Sequence, residues 1–338
     1  MAAPSQKKQV YLISGASTGF GALSARALAK EGHTVYAGMY SHDGNTSQHE
    51  TEIQQFNNEN NTDLRAVPLN LLDQSSVDAA VKTILSQASA LDVIIHNAGH
   101  MNYGPAEAFT VAQYLHLYDV NVVGAQRLNQ AVLPHLRAQR RGHLIWISSS
   151  SVYGAKSPWL GGYFAAKAAF DSLAQTYARE LHPWGIKSTI VSPGIFVKGT
   201  NHFLDAMKPG VEAVGREYEE GPTRGVGEQN MKGSASVVPG DADPGLTAEA
   251  LVEVSRVPRG KKPYRVTVDS ADDGGEEGGC CCGSVWEGVL SEDWVGGDVE
   301  GALVRAARGS FVPLRQVCET LVPTAHDIML HSVEAVKM

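Results

Sequence analysis

The sequence predicts an α/β fold: a doubly wound parallel sheet of about seven strands, covered by helices on both faces and followed by an irregular C-terminal tail. Three observations lead to it. Short apolar runs alternate with helix-forming stretches between residues 10 and 268, at the spacing of parallel strands joined by crossover helices. A glycine-rich turn lies between the first run and the first helix. The chain has 338 residues, 43% hydrophobic and 19% charged, enough for one large core.

Taken in order, Val10-Tyr-Leu-Ile-Ser14 is a strand that leads into Gly15-Ala-Ser-Thr-Gly19-Phe-Gly21 and a helix over 22–31. Glycines let a backbone turn sharply and approach a ligand, and a helix N-terminus presents free N–H groups to a pyrophosphate. Residues 33–39 read as the second strand, 51–60 as a polar helix, 64–69 as the third strand, 75–88 as a helix and 91–95 as the fourth strand. That strand closes in His96-Asn97-Ala98-Gly99, where His96 reads as a structural, hydrogen-bonding residue rather than a base. Two helical stretches over 106–136 meet near Asn121, and 143–147 is the fifth strand, running into Ser148-Ser-Ser-Ser151. A long helix over 161–181, a sixth strand over 187–191 and the turn Pro193-Gly194 follow. A helix over 246–254 and a seventh strand over 264–268 complete the sheet.

The long helix carries the chemistry. Tyr163 and Lys167 lie one turn apart on one face. An ammonium near a phenol favours the phenolate, so the expectation is that Lys167 lowers the pKa of Tyr163 towards neutrality. Gly161, Gly162, Ala165 and Ala166 are expected to leave room beside the pair for cofactor and substrate.

Composition excludes other classes. A net charge of −8 supplies no basic face for nucleic acid or an anionic membrane. No apolar run is long enough to span a bilayer and the first residues do not read as a signal peptide, so a cytoplasmic protein is expected. Three of the four cysteines are consecutive, Cys280 to Cys282, which is neither a disulfide framework nor zinc-ligand spacing. No metal is expected.

Residues 10–203 resemble the short-chain dehydrogenase/reductase family, whose matching motifs occur here in the family's order. Gly15, Gly19 and Gly21 fit its T-G-x-x-x-G-x-G turn, with Ser14 in place of Thr; Asn97-Ala98-Gly99 fits N-N-A-G, with His96 in place of the first Asn; Tyr163 and Lys167 fit Y-x-x-x-K. Asn121 fits the family's helix asparagine, and Pro193-Gly194 its loop after strand six. The resemblance implies a Rossmann-like fold, a nicotinamide cofactor and hydride transfer at a ketone or secondary alcohol of a small hydrophobic molecule. Tyr163 would exchange the proton, a serine would hold the reacting oxygen, Lys167 would assist both tyrosine and ribose, and Asn121 would support a water on the lysine. Alignment on the fifth strand selects Ser149 as the serine, whereas the spacing to the tyrosine selects Ser150; Ser149 is preferred, and Ser148 and Ser151 read as turn and capping residues.

The resemblance also implies a cofactor-binding set: Gly15, Ser17, Thr18, Gly19, Phe20, Gly21, Tyr40, Asn70, Leu71, Asn97, Ala98, Gly99, Tyr163, Lys167, Pro193, Gly194 and Thr200. NADP is preferred over NAD because Met39 and Tyr40 end the second strand without an acid to hold both ribose hydroxyls; Thr18, Ser41 and His42 would meet a 2′-phosphate through neutral bonds. Asn70 replaces the family's frequent aspartate at the adenine and can still accept its amino group. His202 reads as a helix-start residue with substrate contact as the alternative. A homo-oligomer, formed through the helices of Asn121 and Tyr163, is implied as well.

The expected organisation is a catalytic domain over 1–268, with a mobile glycine-rich lid at about 200–240, and an extension over 269–338. In that extension 269–301 is expected as a flexible loop, with short helices over 299–307 and 326–336; it matches no family motif, and its abrupt change of composition leads to the expectation that part of it is extraneous. Two alternatives stand beside the oxidoreductase: an epimerase or dehydratase of the same fold, whose G-x-x-G-x-x-G turn is not matched, and a non-catalytic NADP-binding regulator.

Overall fold

A computed structural model describes residues 7–40, 46–88, 90–153, 157–196 and 199–269, together with the short strands 303–305 and 311–313. Alternation builds one layered sheet. Strands β1 (Val10–Ser14), β2 (Thr34–Met39), β3 (Asp63–Pro68), β4 (Val93–His96), β5 (Gly142–Ile147), β6 (Ile186–Pro193) and β7 (Arg265–Val268) run parallel in the order β3-β2-β1-β4-β5-β6-β7. The order reverses between β1 and β4, so the crevice at their carboxyl ends is where a doubly wound sheet receives a ligand.

The inner strands β1, β2, β4 and β5 are buried on both faces because helices cover both. On one side Tyr11 and Ile13 pack with Ala25 and Leu28 of α1 (Gly19–Lys30), Ile53 of α2 (Ser47–Asn60) and Leu251 of α9 (Gly245–Arg256). On the other, Leu12 and Ile94 pack with Val77 and Ile84 of α3 (Gln74–Gln87), Leu128 of α5 (Gly124–Ala138) and Phe170 of α6 (Gly161–Leu181). Truncating a fully buried Leu12 to Ala would cost about 2–5 kcal/mol.

Caps set where several helices start. Asp73 accepts the Ser75 N–H at 2.9 Å ahead of α3, and Thr110 forms a capping box with Gln113 on α4 (Val111–Tyr118). Helices α4 and α5 are continuous through one wide turn, Asp119–Val123, a π-type insertion that contains Asn121. No helix among the described residues is long and apolar enough to cross a membrane.

The structure gives the glycine-rich segment its elements and departs from expectation in the extension. The glycine-rich segment expected as a lid contains α7 (Glu212–Glu220) and α8 (Val226–Val237), and it is tied down: Tyr103 N–H donates to Met207 O at 3.0 Å, Met207 N–H to Met101 O at 2.9 Å, and the Tyr103 hydroxyl to Gly227 O at 2.7 Å. In the extension, the helix expected over 299–307 is replaced by strand β8 (Leu303–Arg305), parallel to β7, and β9 (Phe311–Pro313) pairs with β8 antiparallel. An open sheet edge offers unpaired N–H and C=O groups that a short aliphatic segment can meet, and this outweighs a weak local helical preference. The cysteine triplet, residues 41–45 and the helix expected over 326–336 lie outside the described residues.

Candidate active site

The carboxyl ends of β1 and β4 are joined by side chains that shape the glycine turn. Ser14 Oγ accepts the N–H groups of Asn97 at 3.0 Å and Ala98 at 3.1 Å, while Asn97 Nδ2 donates to Ser14 O and Gly15 O, both at 2.9 Å. Gly15 and Gly19 have φ of +64° and +56°, where a side chain would be strained. A Cβ on Gly15 would also lie 2.7 Å from Ala98 Cα. Past Gly19 the turn opens towards Thr200, and Thr18 stands extended at the start of α1 without capping it through its side chain. A glycine cradle facing an uncapped helix N-terminus fits the pyrophosphate of a dinucleotide.

The remaining residues expected near a cofactor fall into two groups. Tyr40 at the end of β2 is exposed, and Gly194 at the end of β6 has no room for a side chain against Asp269. Phe20 packs edge-on against Phe196 at 5.4 Å, Leu71 packs into the core against Gly124, and Asn97 spends its amide hydrogens on the turn. Phe20 and Asn97 shape the turn and its surroundings with their side chains, and Leu71 serves the core. Asn70 Oδ1 accepts the Leu72 N–H at 3.0 Å, an Asx-type turn that the sequence reading did not include.

Tyr163 stands at the start of α6, its N–H held by Asn102 Oδ1 at 2.7 Å. Ser149 acts on its hydroxyl, and Ser149 Oγ accepts the Ser151 N–H at 3.2 Å. Burial pushes the Tyr163 phenol up to about 12, and the Ser149 bond pulls the other way. Lys167 is buried, donates from Nζ to Ile147 O at 2.8 Å and lies 6.0 Å from the centre of the Tyr163 ring. Its pKa falls to about 8 by burial, with the Asp171 carboxylate opposing. Desolvation thus dominates at Tyr163, and Lys167, which points at a carbonyl, is not among the groups that shift it.

Asn121 Nδ2 donates to His100 O and Leu117 O, both at 2.8 Å, and its Oδ1 accepts the His100 N–H at 3.1 Å. Gly99 separates Asn121 from the lysine; a Cβ there would sit 2.9 Å from Asn121 Oδ1 and 3.6 Å from Lys167 Nζ. The structure thus brings Ser149, Tyr163, Lys167 and Asn121 to one place beside the glycine turn.

Other expectations are corrected. Gly162 and Ala166 are buried and serve helix packing: a Cβ on Gly162 would lie 3.1 Å from Leu117 and 2.9 Å from Asn102 Oδ1. Ser148, at the start of the turn after β5, does more than turn the chain: its hydroxyl donates to Asp171 Oδ2 at 2.6 Å. His96, by contrast, is the structural residue expected: it bonds Asn129 Oδ1 at 2.9 Å and lies 4.3 Å from the Trp146 ring, and burial lowers its pKa to about 3. His202 meets the Tyr163 ring edge-on at 5.7 Å, with its pKa lowered to about 4 by burial and by the charge of Lys167, so it stands beside the centre as a neutral ring. Sequence reading missed Asn102, Tyr153, Asp171 and Arg265; Asp171 was open to detection, one turn beyond Lys167 on the same face.

Residues 9–208 match the family model for short chain dehydrogenases. The chain belongs to that family. The 3-ketodihydrosphingosine reductase of Bacteroides thetaiotaomicron is 35% identical over 192 residues, 56% of this chain and 65% of the reductase, so the chain spans just under two thirds of that relative's length. An NADP-dependent 3-hydroxy acid dehydrogenase of Salmonella typhi is 27% identical over 213 residues, 62% of this chain and 81% of the enzyme. A short-chain dehydrogenase structure from Streptomyces avermitilis superposes with a TM-score of 0.64 at 26% identity, covering 84% of this chain and 97% of that one. Every member of the Ser149–Tyr163–Lys167–Asn121 group lies within the matched short-chain dehydrogenase region, and Arg265 lies beyond it. Among the described residues, no group of three His, Cys, Asp or Glu side chains could hold a metal ion.

Proposed function

We propose that this chain is an NADP-preferring oxidoreductase acting on a ketone or secondary alcohol of a small hydrophobic molecule, with residues 1–268 as its catalytic unit. The observation that carries the reading is the convergence of Ser149, Tyr163 and Lys167 beside the glycine cradle, with Ser149 acting on the Tyr163 phenol and Lys167 on the same helix face.

The nicotinamide cofactor supplies the hydride chemistry. Gly15, Gly19 and Gly21 with the N-terminus of α1 would hold its pyrophosphate, and Tyr40, which is no acid, tolerates a 2′-phosphate. The dehydrogenase from Salmonella typhi is named as NADP-dependent, which supports that preference. In the direction of reduction, Tyr163 Oη gives a proton to the substrate oxygen while Ser149 Oγ holds that oxygen in place. Negative charge growing there is matched by Lys167, which keeps its proton below about pH 8. Asn121 fixes the His100 backbone beside the lysine. Met101, Leu160 and Ala206, with the rings of Tyr103, Phe164 and Phe203, form an apolar cluster around Tyr163 that suits an uncharged substrate. Exposed Val111, Leu115 and Val123, on and beside the helices around Asn121, support association with a second copy.

The test is NADPH and NADH consumption across a ketone and quinone panel, for wild type and Tyr163→Phe. The expected result is NADPH-dependent turnover that falls by about 10²–10⁴-fold in the Phe variant while cofactor binding persists. Unchanged turnover in that variant would sink the mechanism.

A further inference from the structure

Behind the proton-transfer pair lies a buried polar cluster that the reaction above does not use. Arg265, the first residue of β7, is 9% exposed and forms a two-pronged pair with Asp171 of α6: Nη2 to Oδ1 at 2.8 Å and Nη1 to Oδ2 at 2.9 Å. Nη1 also donates to Tyr153 Oη at 2.9 Å and Ser192 Oγ at 3.2 Å, and those two hydroxyls are 3.1 Å apart. On the carboxylate, Oδ2 accepts the Ser148 hydroxyl at 2.6 Å and Oδ1 the Gln175 amide at 2.9 Å. Burial opposes the charge on Asp171, and Arg265 with Ser148 more than offsets it, so the carboxyl is held below its ordinary value and the pair stays ionised.

Stability alone does not account for such a pair, since well-packed apolar residues in place of a buried ion pair are often equally or more stabilising. Location does. Ser148 adjoins Ser149, Tyr153 ends the short turn after it, Ser192 adjoins Pro193-Gly194, and Asp171 lies one turn beyond Lys167. Each polar group clamped by the pair, apart from Gln175, therefore sits on a backbone segment that also carries a residue of the proposed centre.

We infer that Arg265 and Asp171 are positioning residues for proton transfer: they hold the Ser148–Tyr153 turn against α6 and β6, and so keep Ser149 on the Tyr163 hydroxyl and Lys167 beside it. This rests on the reading of Tyr163 as the proton donor. An electrostatic component follows the same geometry. The charged or titratable groups facing Lys167 are Asp171 and Tyr163 on α6 and His202 on the segment after β6, with the Ile147 carbonyl and the Asn121 amide as neutral dipoles. Of these, Asp171 is the anion that favours the charged lysine, and losing it lets the lysine deprotonate at lower pH.

The test is the double variant Asp171→Leu/Arg265→Met, which removes both charges together and strands neither. Ketone reduction, NADPH binding, thermal unfolding and the pH profile of kcat are measured alongside Tyr163→Phe. The expected result is a folded protein whose kcat falls by about tenfold or more, as misplacement of a reacting group produces. KM for the ketone and Kd for NADPH stay within about threefold of wild type. The alkaline limb of the kcat profile moves to lower pH by about half a unit or more. A folded double variant with the wild-type kcat and alkaline limb overturns the inference. If the double variant does not fold, Tyr153→Phe decides: kcat lowered about threefold or more at unchanged melting temperature supports the clamp, and kcat within about twofold of wild type overturns it. Turnover retained in Tyr163→Phe sinks the parent reading and the inference with it, whereas turnover lost there beside an unaffected double variant sinks the inference alone.

Discussion

The two ends of the sheet carry the same kinds of residue in different settings. At the carboxyl end stand Tyr163, Lys167 and His202; at the amino end stand Tyr11, Lys262, His33 and His143. Burial shifts both sets alike. It raises Tyr11 as it raises Tyr163, lowers Lys262 to about 8 as it does Lys167, and lowers His33 and His143 as it does His202. Their partners differ. Lys262 donates to Val254 O at 2.6 Å and Ser255 O at 3.0 Å at the end of α9, Tyr11 donates to Gln9 Oε1 at 3.2 Å, and His143 is bonded to Thr189. At the carboxyl end, Ser149 acts on the Tyr163 phenol beside a glycine cradle. A displaced pKa therefore reports burial, and what turns burial into chemistry is the company of groups that can meet one substrate atom.

The sharpest way to break this comparison is to remove the same ammonium at each end. Lys167→Met is expected to lower kcat by about 10²-fold or more, because the charge that balances the developing oxyanion is lost. Steady-state kinetics at saturating NADPH checks it, and turnover within a few-fold of wild type would make the two lysines equivalent.

A step smaller is the choice between the two serines. Ser149→Ala is expected to reduce kcat by about 10²-fold, the usual loss on removing one donor to a developing oxyanion, and Ser150→Ala by less than about threefold. Kinetics of the two variants decides, and a reversal of their order would move the oxygen-holding role to Ser150.

Histidines sharpen the comparison in acid. His96 and His202 have pKa values of about 3 and about 4 in the folded chain, against about 6.5 when unfolded. As pH falls below 6.5 the unfolded chain takes up protons that the native chain refuses, so stability falls, by up to ~1.4 kcal/mol per pH unit for each such group. Urea unfolding at pH 7 and pH 5 is expected to show that loss, and a smaller one in His96→Asn. An equal loss in the variant would mean that His96 is already charged in the fold.

How much of this was legible in the sequence depended on whether the signal was local. Strand periodicity, the Gly15-to-Gly21 turn and the four-residue spacing of Tyr163 and Lys167 lie within single elements, and the structure places them as read. Arg265 and Asp171 meet only because β7 lies beside β6 and α6 packs behind it, so no short stretch announces them. Likewise, Gly162 reads as free space until Asn102 and Leu117 are known to fill it. The 212–237 helices were masked by the interspersed glycines, and the pairing of β8 needed the open edge of β7.

The smallest effect belongs to the amino-end lysine and closes the comparison from the other side. Lys262→Met removes a partly desolvated charge together with its two bonds to carbonyls at the end of α9, so gain and loss oppose each other and stability at pH 7 should change little. Its trace should appear in alkali. Because the folded pKa, about 8, lies below the unfolded value of about 10.4, the unfolded chain holds more protons between those limits, and wild-type stability rises with pH across them. Lys167 contributes a similar rise, so the variant should keep part of the slope and lose the rest, while turnover stays within about twofold of wild type. Denaturant unfolding at pH 8 and pH 10, beside kinetics at pH 7, reads both quantities. A large loss of turnover in Lys262→Met would mean that the amino end communicates with the reaction, and that burial without a facing hydroxyl is enough to matter.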